Sequence, residues 1–399
     1  MRTTQTRTTG PAPQRVLVIG GAGEMGTHTC GVLAGADEIA EVIIADRDID
    51  RARELAATLG VKATPLQLDL TDSGSLKEAL GKADIVLNTA GPFYLFGKHV
   101  LNAAIEAGTT YLDICDDWEP TLDMLQLDDA ARAAGVTAVI GLGASPGISN
   151  LLAALAMSGC DTVERAYTCW RANGYPPVPE GTTPPEATAA VVHWVHNLAA
   201  TIKVWRGGKL ADAEPLEERR LAYPGWGEES VWVCGHPEPL TLGRVRPELK
   251  ESLNVMSSRP LLMEALIKTA GRVRSGELTV PEAANALVAE PNTMGRAAGT
   301  APNLPVLFGL AEGIKDGRPV RVGARPLAVP NASMGTMTGI PLAVGALMAA
   351  RGEVTAPGVH GPEGAIDPAA FFQLLAEFAD QGTTERQDVV EVVSDFIGA

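Results

Sequence analysis

At 399 residues the chain is too long for one ordinary domain and suggests two or three. Apolar residues make up 46% and charged residues 20%, enough to bury large cores and too apolar for disorder. A net charge of −16, from 32 Lys plus Arg against 48 Asp plus Glu, excludes a nucleic-acid binder and a peripheral protein on anionic lipid, and 5% aromatics are too few for base stacking.

Met1–Arg15 is Thr-rich, carries Arg2, Arg7 and Arg15, and lacks the apolar stretch of a secretory signal; a short unstructured tail is expected. Along the next 125 or so residues, apolar runs alternate with helical stretches. Arg15–Gly20 is continuously apolar after its first residue, the pattern of a strand buried on both faces. Further runs follow at Glu41–Asp46, Pro65–Asp69 (the weakest), Ala83–Asn88, Thr110–Asp113 and Thr137–Ile140. Between them Ile49, Ala52, Leu55, Ala56 and Leu59 share one helical face, and Val100, Leu101, Ala104 and Ile105 another. Such alternation means a parallel sheet covered on both sides, and right-handed crossovers narrow it to a doubly wound sheet.

After Gly147 the texture changes. Gly174–Pro185 is a Pro- and Gly-rich loop, and Glu186–Trp205 has helical stretches with two Trp. From Lys209 to Arg246 short β-like runs such as Ser230–Cys234 alternate with Pro and Gly. Leu261–Val273 and Val280–Val288 read as helices, and Arg318–Val329 as a strand pair with Gly323 between. The segment is therefore an α+β domain inserted after the first sheet. The tail, Ile340–Ala350 and Pro368–Ile397, reads as helical again, with Pro341 and Gly345 interrupting the first stretch. That stretch is the longest apolar run and falls short of the roughly 20 residues of a membrane span. The five cysteines, Cys30, Cys115, Cys160, Cys169 and Cys234, form neither a disulfide framework nor a zinc ribbon; they read as buried thiols of a cytoplasmic protein.

The strongest chemical signal is Gly21-Ala22-Gly23-Glu24-Met25-Gly26, which follows an apolar strand and opens a helix. Gly21 is expected to allow the tight turn, Gly23 to let backbone approach a pyrophosphate at the helix N-terminus, and Gly26 to let that helix pack closely. Asp46 ends the second strand, 20 residues after Gly26, where a carboxylate accepts hydrogen bonds from an adenosine ribose. A carboxylate there repels a 2′-phosphate, so NAD is favoured over NADP, although Arg47 offers that phosphate a partner. Asp69 either caps the adenine amine or merely shapes the next helix start. Thr89, Ala90, Gly91 and Pro92 end the fourth strand beside the expected nicotinamide ribose, followed by Phe93 and Tyr94.

The segment Asn88–Gly108, with Gly-Pro-Phe-Tyr, Gly97 and Ala103-Ala104-Ile105-Glu106-Ala107-Gly108, resembles the saccharopine dehydrogenase-like oxidoreductases. So do Tyr111-Leu112-Asp113, Ala133-Ala134-Gly135-Val136, the turn Gly141–Gly147, and the returning segments Thr338–Pro341, Arg351–Glu353 and Pro357–Val359. The resemblance implies a Rossmann-type doubly wound parallel sheet at 14–148, an inserted α+β substrate and dimerisation domain at 149–334, and C-terminal helices at 335–399 returning to the Rossmann domain. It implies hydride exchange between a nicotinamide and a carbon bearing nitrogen on a small, amino-acid-like substrate, in a homodimer. Ser145, a further cofactor-side candidate, stands where saccharopine reductases carry Asp, and Cys115–Glu119 differs from their loop, which points away from saccharopine itself.

Catalytic candidates follow from charge and position. Asp116 and Asp117 lie just past the fifth strand, where substrate should arrive; they suit an ammonium or iminium, or acid–base work, or else a helix cap ahead of Pro120. His193 and His196 share a helical face, as a proton relay or as a packed pair; no third ligand at a telling spacing supports a metal. Tyr94 can donate to substrate, and Arg171 can clamp a carboxylate. The alternatives are a C=C (enoyl) reductase and a non-catalytic NAD-binding sensor.

Overall fold

The computed structural model describes residues 11–172, 186–187, 189–289, 300–330, 333–379 and 389–398. The expected tail before residue 11 and the loop expected at Gly174–Pro185 lie outside the described residues. The chain forms two compact units, one of residues 1–115, 119–148 and 328–389, the other of 116–118, 149–327 and 390–399.

The first unit alternates strand and helix: β1 (Gln14–Ile19), α1 (Glu24–Gly35), β2 (Ile39–Asp46), α2 (Ile49–Leu59), β3 (Ala63–Gln67), α3 (Ser73–Leu80), β4 (Ile85–Asn88), α4 (Phe93–Ala107), β5 (Thr110–Asp113), α5 (Trp118–Leu125), α6 (Asp128–Ala134) and β6 (Thr137–Val139). The second unit begins within α7 (Ile148–Ser158) and continues through β7 (Thr162–Arg171), α8 (Ala189–Ala199), β8 (Ile202–Arg206), β9 (Lys209–Ala213), β10 (Glu218–Tyr223), β11 (Gly227–Val233), α9 (Glu238–Val245), β12 (Glu251–Ser257), α10 (Pro260–Arg274), α11 (Val280–Ala289), β13 (Leu307–Lys315) and β14 (Arg318–Pro326). The first unit then resumes with α12 (Met334–Ala350), β15 (Gly358–His360) and α13 (Pro368–Leu375), and the last strand, β16 (Val390–Phe396), belongs to the second.

The first unit is the doubly wound sheet expected from the apolar runs. Its seven strands lie in the order β15-β6-β5-β4-β1-β2-β3 and every pair is parallel. Strand order reverses between β1 and β4, which makes the carboxyl ends of those strands the ligand crevice. Leu17, Ile43, Val86 and Tyr111 on the sheet pack with Leu76, Val100, Leu101 and Ala104 of the covering helices. Burial of strands on both faces is why each reads as an unbroken apolar run.

α12 completes this unit and corrects one expectation. It runs unbroken through Pro341 and Gly345. A proline inside a helix deprives the carbonyl four residues earlier, that of Met337, of its donor. Close packing compensates. A Cβ on Gly339 would sit 2.3 Å from the Met25 carbonyl oxygen, and one on Gly345 2.1 Å from Leu142 Cδ2. Thr29 Oγ1 of α1 donates to the Gly339 carbonyl at 2.8 Å, so the two helices cross at backbone distance.

The second unit is built on a nine-stranded mixed sheet, in the order β10-β11-β12-β7-β13-β14-β16, with β8 pairing β12 and β9. Only the β7–β12 pair is parallel among the described pairings. Two buried apolar clusters flank it. One joins α8, α10 and α11 through Val195, Leu266 and Leu287; the other includes Tyr167, Cys169, Tyr223 and Phe308.

Four expectations are corrected here. Trp205 lies in β8, not in a helix, and Glu238–Val245 is a helix within the stretch read as β-like. Gly323 sits inside the single strand β14, where a Cβ would come within 2.6 Å of the Tyr223 ring; the partner strand is β13. The stretch 390–396, read as helical tail, is β16, paired antiparallel with β14, so the C-terminus does not belong wholly to the first unit.

Candidate active site

The glycine turn is constrained at three points. Gly20, not Gly21, carries the left-handed backbone, with φ +74°. Gly21 is required for space instead, since its Cβ would lie 2.9 Å from the Val18 carbonyl oxygen and 3.0 Å from Ile44. Gly26 on α1 packs against this turn so closely that a Cβ would reach within 2.3 Å of the Gly20 oxygen. Gly23 differs from both: its Cβ would meet only the Gly20 oxygen, at 3.1 Å. It is the N-cap of α1, and no side chain caps that helix end. Glu24 and Met25 form the first turn.

Asp46 is held against this turn. Its Oδ2 accepts from the Ala22 N–H at 3.1 Å and its Oδ1 from the Asp48 N–H at 3.0 Å. Arg47 beside it is exposed. Asp69, also exposed, accepts from the Thr71 N–H and hydroxyl at 2.9 and 2.7 Å, and these bonds hold its carboxyl below the usual range, with Arg47 adding to the effect. Asp72 caps α3.

The end of β4 abuts the same turn. Thr89 Oγ1 donates to the carbonyls of Ile19 and Gly20 at 2.9 and 3.1 Å, and a Cβ on Gly20 would press on Ala90 N. Pro92 is the N-cap of α4 after a cis Gly91–Pro92 bond. Of the aromatic pair, Phe93 is buried in the core while Tyr94 is 72% exposed.

Beneath this edge lies a buried polar network that sequence reasoning did not single out. Asn88, Tyr111 and Asp113 are wholly buried. Tyr111 Oη donates to Asp113 Oδ2, and Asn88 Nδ2 donates to Tyr111 Oη at 3.3 Å. Asp113 Oδ1 accepts from the N–H groups of Cys115 and Gly141 at 3.0 and 2.7 Å, and Asn88 Oδ1 from that of Ala90 at 3.0 Å. One cluster thus ties down the turns after β4, β5 and β6. Burial, reinforced by Asp113, pushes the Tyr111 phenol well up. The turn after β6 is closed by a Gly143–Gly147 bridge, with half-buried Ser145 inside it and a cis Ser145–Pro146 bond.

The remaining candidates belong to the second unit. Asp117 is buried, with 6% of its surface exposed, and Asp116 is half-buried. Arg171 ends β7 and donates through Nη2 to the carbonyls of Pro302 (3.0 Å) and Leu304, a structural employment not anticipated for it. Burial, with Arg259 adding to it, lowers its pKa. His196 is half-buried on α8; His193 is on the same helix, and its side chain lies outside the described residues. Among the described residues no group of three or more His, Cys, Asp or Glu is arranged to hold a metal ion. No helix among them is long and apolar enough to cross a membrane.

The turn fits a dinucleotide. An uncapped N-terminus on a 12-residue helix keeps N–H donors for an anion, Gly23 leaves the approach clear, and a carboxylate ends the neighbouring strand. Comparison with known proteins agrees. Residues 16–139 match the saccharopine dehydrogenase NADP-binding domain family. The chain is 24% identical over 405 residues to carboxyaminopropylagmatine dehydrogenase of Synechocystis sp., covering 91% of this chain and 95% of that one. It is 32% identical over 148 residues to the NADP(+), L-glutamate-forming saccharopine dehydrogenase of Pyricularia oryzae, covering 36% of this chain and 30% of that one. The solved saccharopine dehydrogenase (L-Glu forming) of Saccharomyces cerevisiae shares the fold, with a TM-score of 0.63 at 17% identity over 96% of this chain and 100% of that one. The chain is thus similar to the saccharopine dehydrogenase NADP-binding domain family over residues 16–139, and it shares the fold of a solved saccharopine dehydrogenase along nearly its whole length.

Proposed function

We propose that the protein is an NAD(P)-dependent oxidoreductase that exchanges hydride at the carbon–nitrogen bond of an amino-acid-like amine or imine. The observation that carries this reading is the clear, uncapped glycine turn with Asp46 bonded to its Ala22 N–H. The near full-length likeness to carboxyaminopropylagmatine dehydrogenase supports the substrate class. The dinucleotide supplies the hydride chemistry when bound; the chain's own part is binding, orientation and charge placement.

Gly21, Gly23, Glu24, Met25 and Gly26 would cradle the pyrophosphate, with Asp46 on the adenosine ribose and Asp69 at the adenine end. Thr89, Ala90, Gly91, Pro92 and Ser145 would line the nicotinamide end. We read NAD as preferred over NADP, because the Asp46 carboxylate, held by the Ala22 and Asp48 N–H groups, would repel a 2′-phosphate, while Arg47 stands exposed. Asp117, the more buried of the acidic pair, is our choice for holding a substrate cation; His196, His193, Tyr94 and Arg171 remain candidates for further substrate contacts. The protein would work in the cytoplasm as a homodimer, which light scattering on a sizing column tests.

The activity is tested with purified protein, NAD+ or NADP+, and amines beginning with carboxyaminopropylagmatine and saccharopine. Dinucleotide reduction that depends on an amine supports the proposal. Turnover confined to conjugated C=C substrates would replace it with an enoyl reductase, and tight dinucleotide binding without turnover of any substrate class with a sensor.

A further inference from the structure

Within the first unit, the two turns proposed to line the nicotinamide end share one root, and the adenosine end has another. The turn after β4 hangs on Asn88, whose Oδ1 accepts from the Ala90 N–H at 3.0 Å. The turn after β6 hangs on Asp113. Its Oδ1 accepts from the Gly141 N–H at 2.7 Å, and its backbone carbonyl from the Leu142 N–H at 2.7 Å. Tyr111 joins the two, donating its hydroxyl to Asp113 Oδ2 at 2.9 Å and accepting from Asn88 Nδ2 at 3.3 Å. Other groups hold the adenosine end: Asp46 accepts from the Ala22 and Asp48 N–H groups, and Asp69 from Thr71.

The relay has a direction. Asp113 Oδ1 accepts the N–H groups of Cys115 and Gly141, and Oδ2 offers lone pairs, so the single phenolic hydrogen of Tyr111 points at Oδ2. The phenol keeps that hydrogen, because burial and then the Asp113 charge push its pKa well up. Tyr111 Oη therefore turns a lone pair toward Asn88, and only the amide NH2 can meet it. That leaves Asn88 Oδ1 facing the Ala90 N–H. A carboxylate two links away thus decides which way round the amide stands. All three side chains are wholly buried, where hydrogen bonds are stronger and an unmet group costs more.

The turn that Asn88 holds is built to be placed. Thr89 directs its N–H to the Ile19 carbonyl at 2.9 Å and its hydroxyl to the Ile19 and Gly20 carbonyls. With the Ala90 N–H on Asn88, the donors of these two residues face inward. Gly91 is exposed, and a Cβ there would meet nothing within 4 Å among the described residues. A ligand at this turn meets a bare backbone edge, so the position of that edge matters more than its donors.

Resting on the proposed dinucleotide chemistry, we propose that Asn88 is a positioning residue for the nicotinamide half of the cofactor, oriented by Tyr111 and Asp113, and that it acts on that half alone. Losing the amide contact frees Ala90 and Gly91 to shift. The glycine turn and Asp46 stay in place, because Thr89 keeps its own bonds to Ile19 and Gly20.

The test measures ligand binding by isothermal titration calorimetry. The ligands are NADH or NADPH, whichever wild type binds more tightly, and the matching ADP-ribose or its 2′-phosphate, which lacks the nicotinamide ring. Asn88→Leu should weaken the dinucleotide about tenfold or more and the ADP-ribose less than about twofold. Asp113→Asn keeps an acceptor for the two backbone N–H groups but presents an amide donor to Tyr111. The relay then reverses, and the Asn88 amide turns its NH2 toward the Ala90 N–H. This variant should show the same split, and it carries the test if Asn88→Leu does not fold. Asp46→Ser, at the other end, should weaken both ligands. Equal weakening of both ligands by the Asn88 and Asp113 variants, or of neither, overturns the proposal, as does failure of both variants to fold. The proposed function then still stands if Asp46→Ser weakens both ligands. Absence of dinucleotide binding by wild type removes both readings.

Discussion

Tyr111 donates its hydroxyl to Asp113 Oδ2 at 2.9 Å, with both side chains sealed from solvent at the carboxyl end of β5. The same carboxylate accepts from Cys115 and Gly141, so one side chain fixes two turns directly and a third through Tyr111 and Asn88. Replacing Asp113 by Ala orphans three buried donors, each costing about 1–3 kcal/mol. Asp113→Ala should lose about 3–5 kcal/mol of stability by urea unfolding, partial relaxation trimming the sum. A loss below about 1 kcal/mol would mean that the turns hold without it.

Gly23 and Gly26 separate binding from folding. A Cβ at Gly26 collides with backbone that cannot yield, so Gly26→Ala should destabilise the protein without ligand by about 1–3 kcal/mol or more. At Gly23 the direction of a Cβ is open beyond the Gly20 oxygen. Gly23→Val should therefore unfold near the parent's temperature and yet bind NADH at least tenfold more weakly by nicotinamide fluorescence. Undiminished NADH binding by Gly23→Val would remove the dinucleotide from this turn.

Asp46 sets the expected cofactor preference. Wild type should bind NADH more tightly than NADPH. Asp46→Ser removes the negative charge and should raise the NADPH-to-NADH affinity ratio about tenfold, or about 1.4 kcal/mol. The same titrations on Arg47→Ala decide between neighbours: if that variant alone changes the ratio, Arg47 reads the ribose.

The two acidic residues after β5 differ in burial. Asp117 is buried and Asp116 only half-buried. Removing one partner of a buried charge pair costs about 3–5 kcal/mol, 100-fold or more in rate if felt at the transition state. Asp117→Asn should lower turnover by that factor with NADH affinity little changed, and Asp116→Asn by less than about fivefold. Equal effects, or none, would return both residues to a helix-capping role.

The doubly wound sheet was legible because strands buried on both faces leave unbroken apolar runs, and because Gly21–Gly26 and Asp46 sit at the ends of such runs. The second unit was less so. Trp205 faces a strand neighbourhood that no local period declares, and β16, with Val390, Val392 and Val393 against Glu391, is set by pairing with β14 more than by its own pattern. Pro341 reads as a break because the cost of a proline is local, while the packing of Gly339 and Gly345 that offsets it comes from residues far away in sequence. For the site, turn chemistry shows in sequence and side-chain assembly does not. Asp113 and Asn88 are ordinary strand ends until the fold stacks them.

The central claim, dinucleotide-dependent chemistry at a carbon–nitrogen bond, is tested most directly by following nicotinamide absorbance while purified protein meets the panel of amino-acid-like amines with each oxidised dinucleotide. Reduction of the dinucleotide should require both an amine and an intact glycine turn, and should be lost in Gly23→Val. Reduction that proceeds equally in Gly23→Val, or no reduction with any amine while a conjugated C=C substrate is turned over, would contradict it.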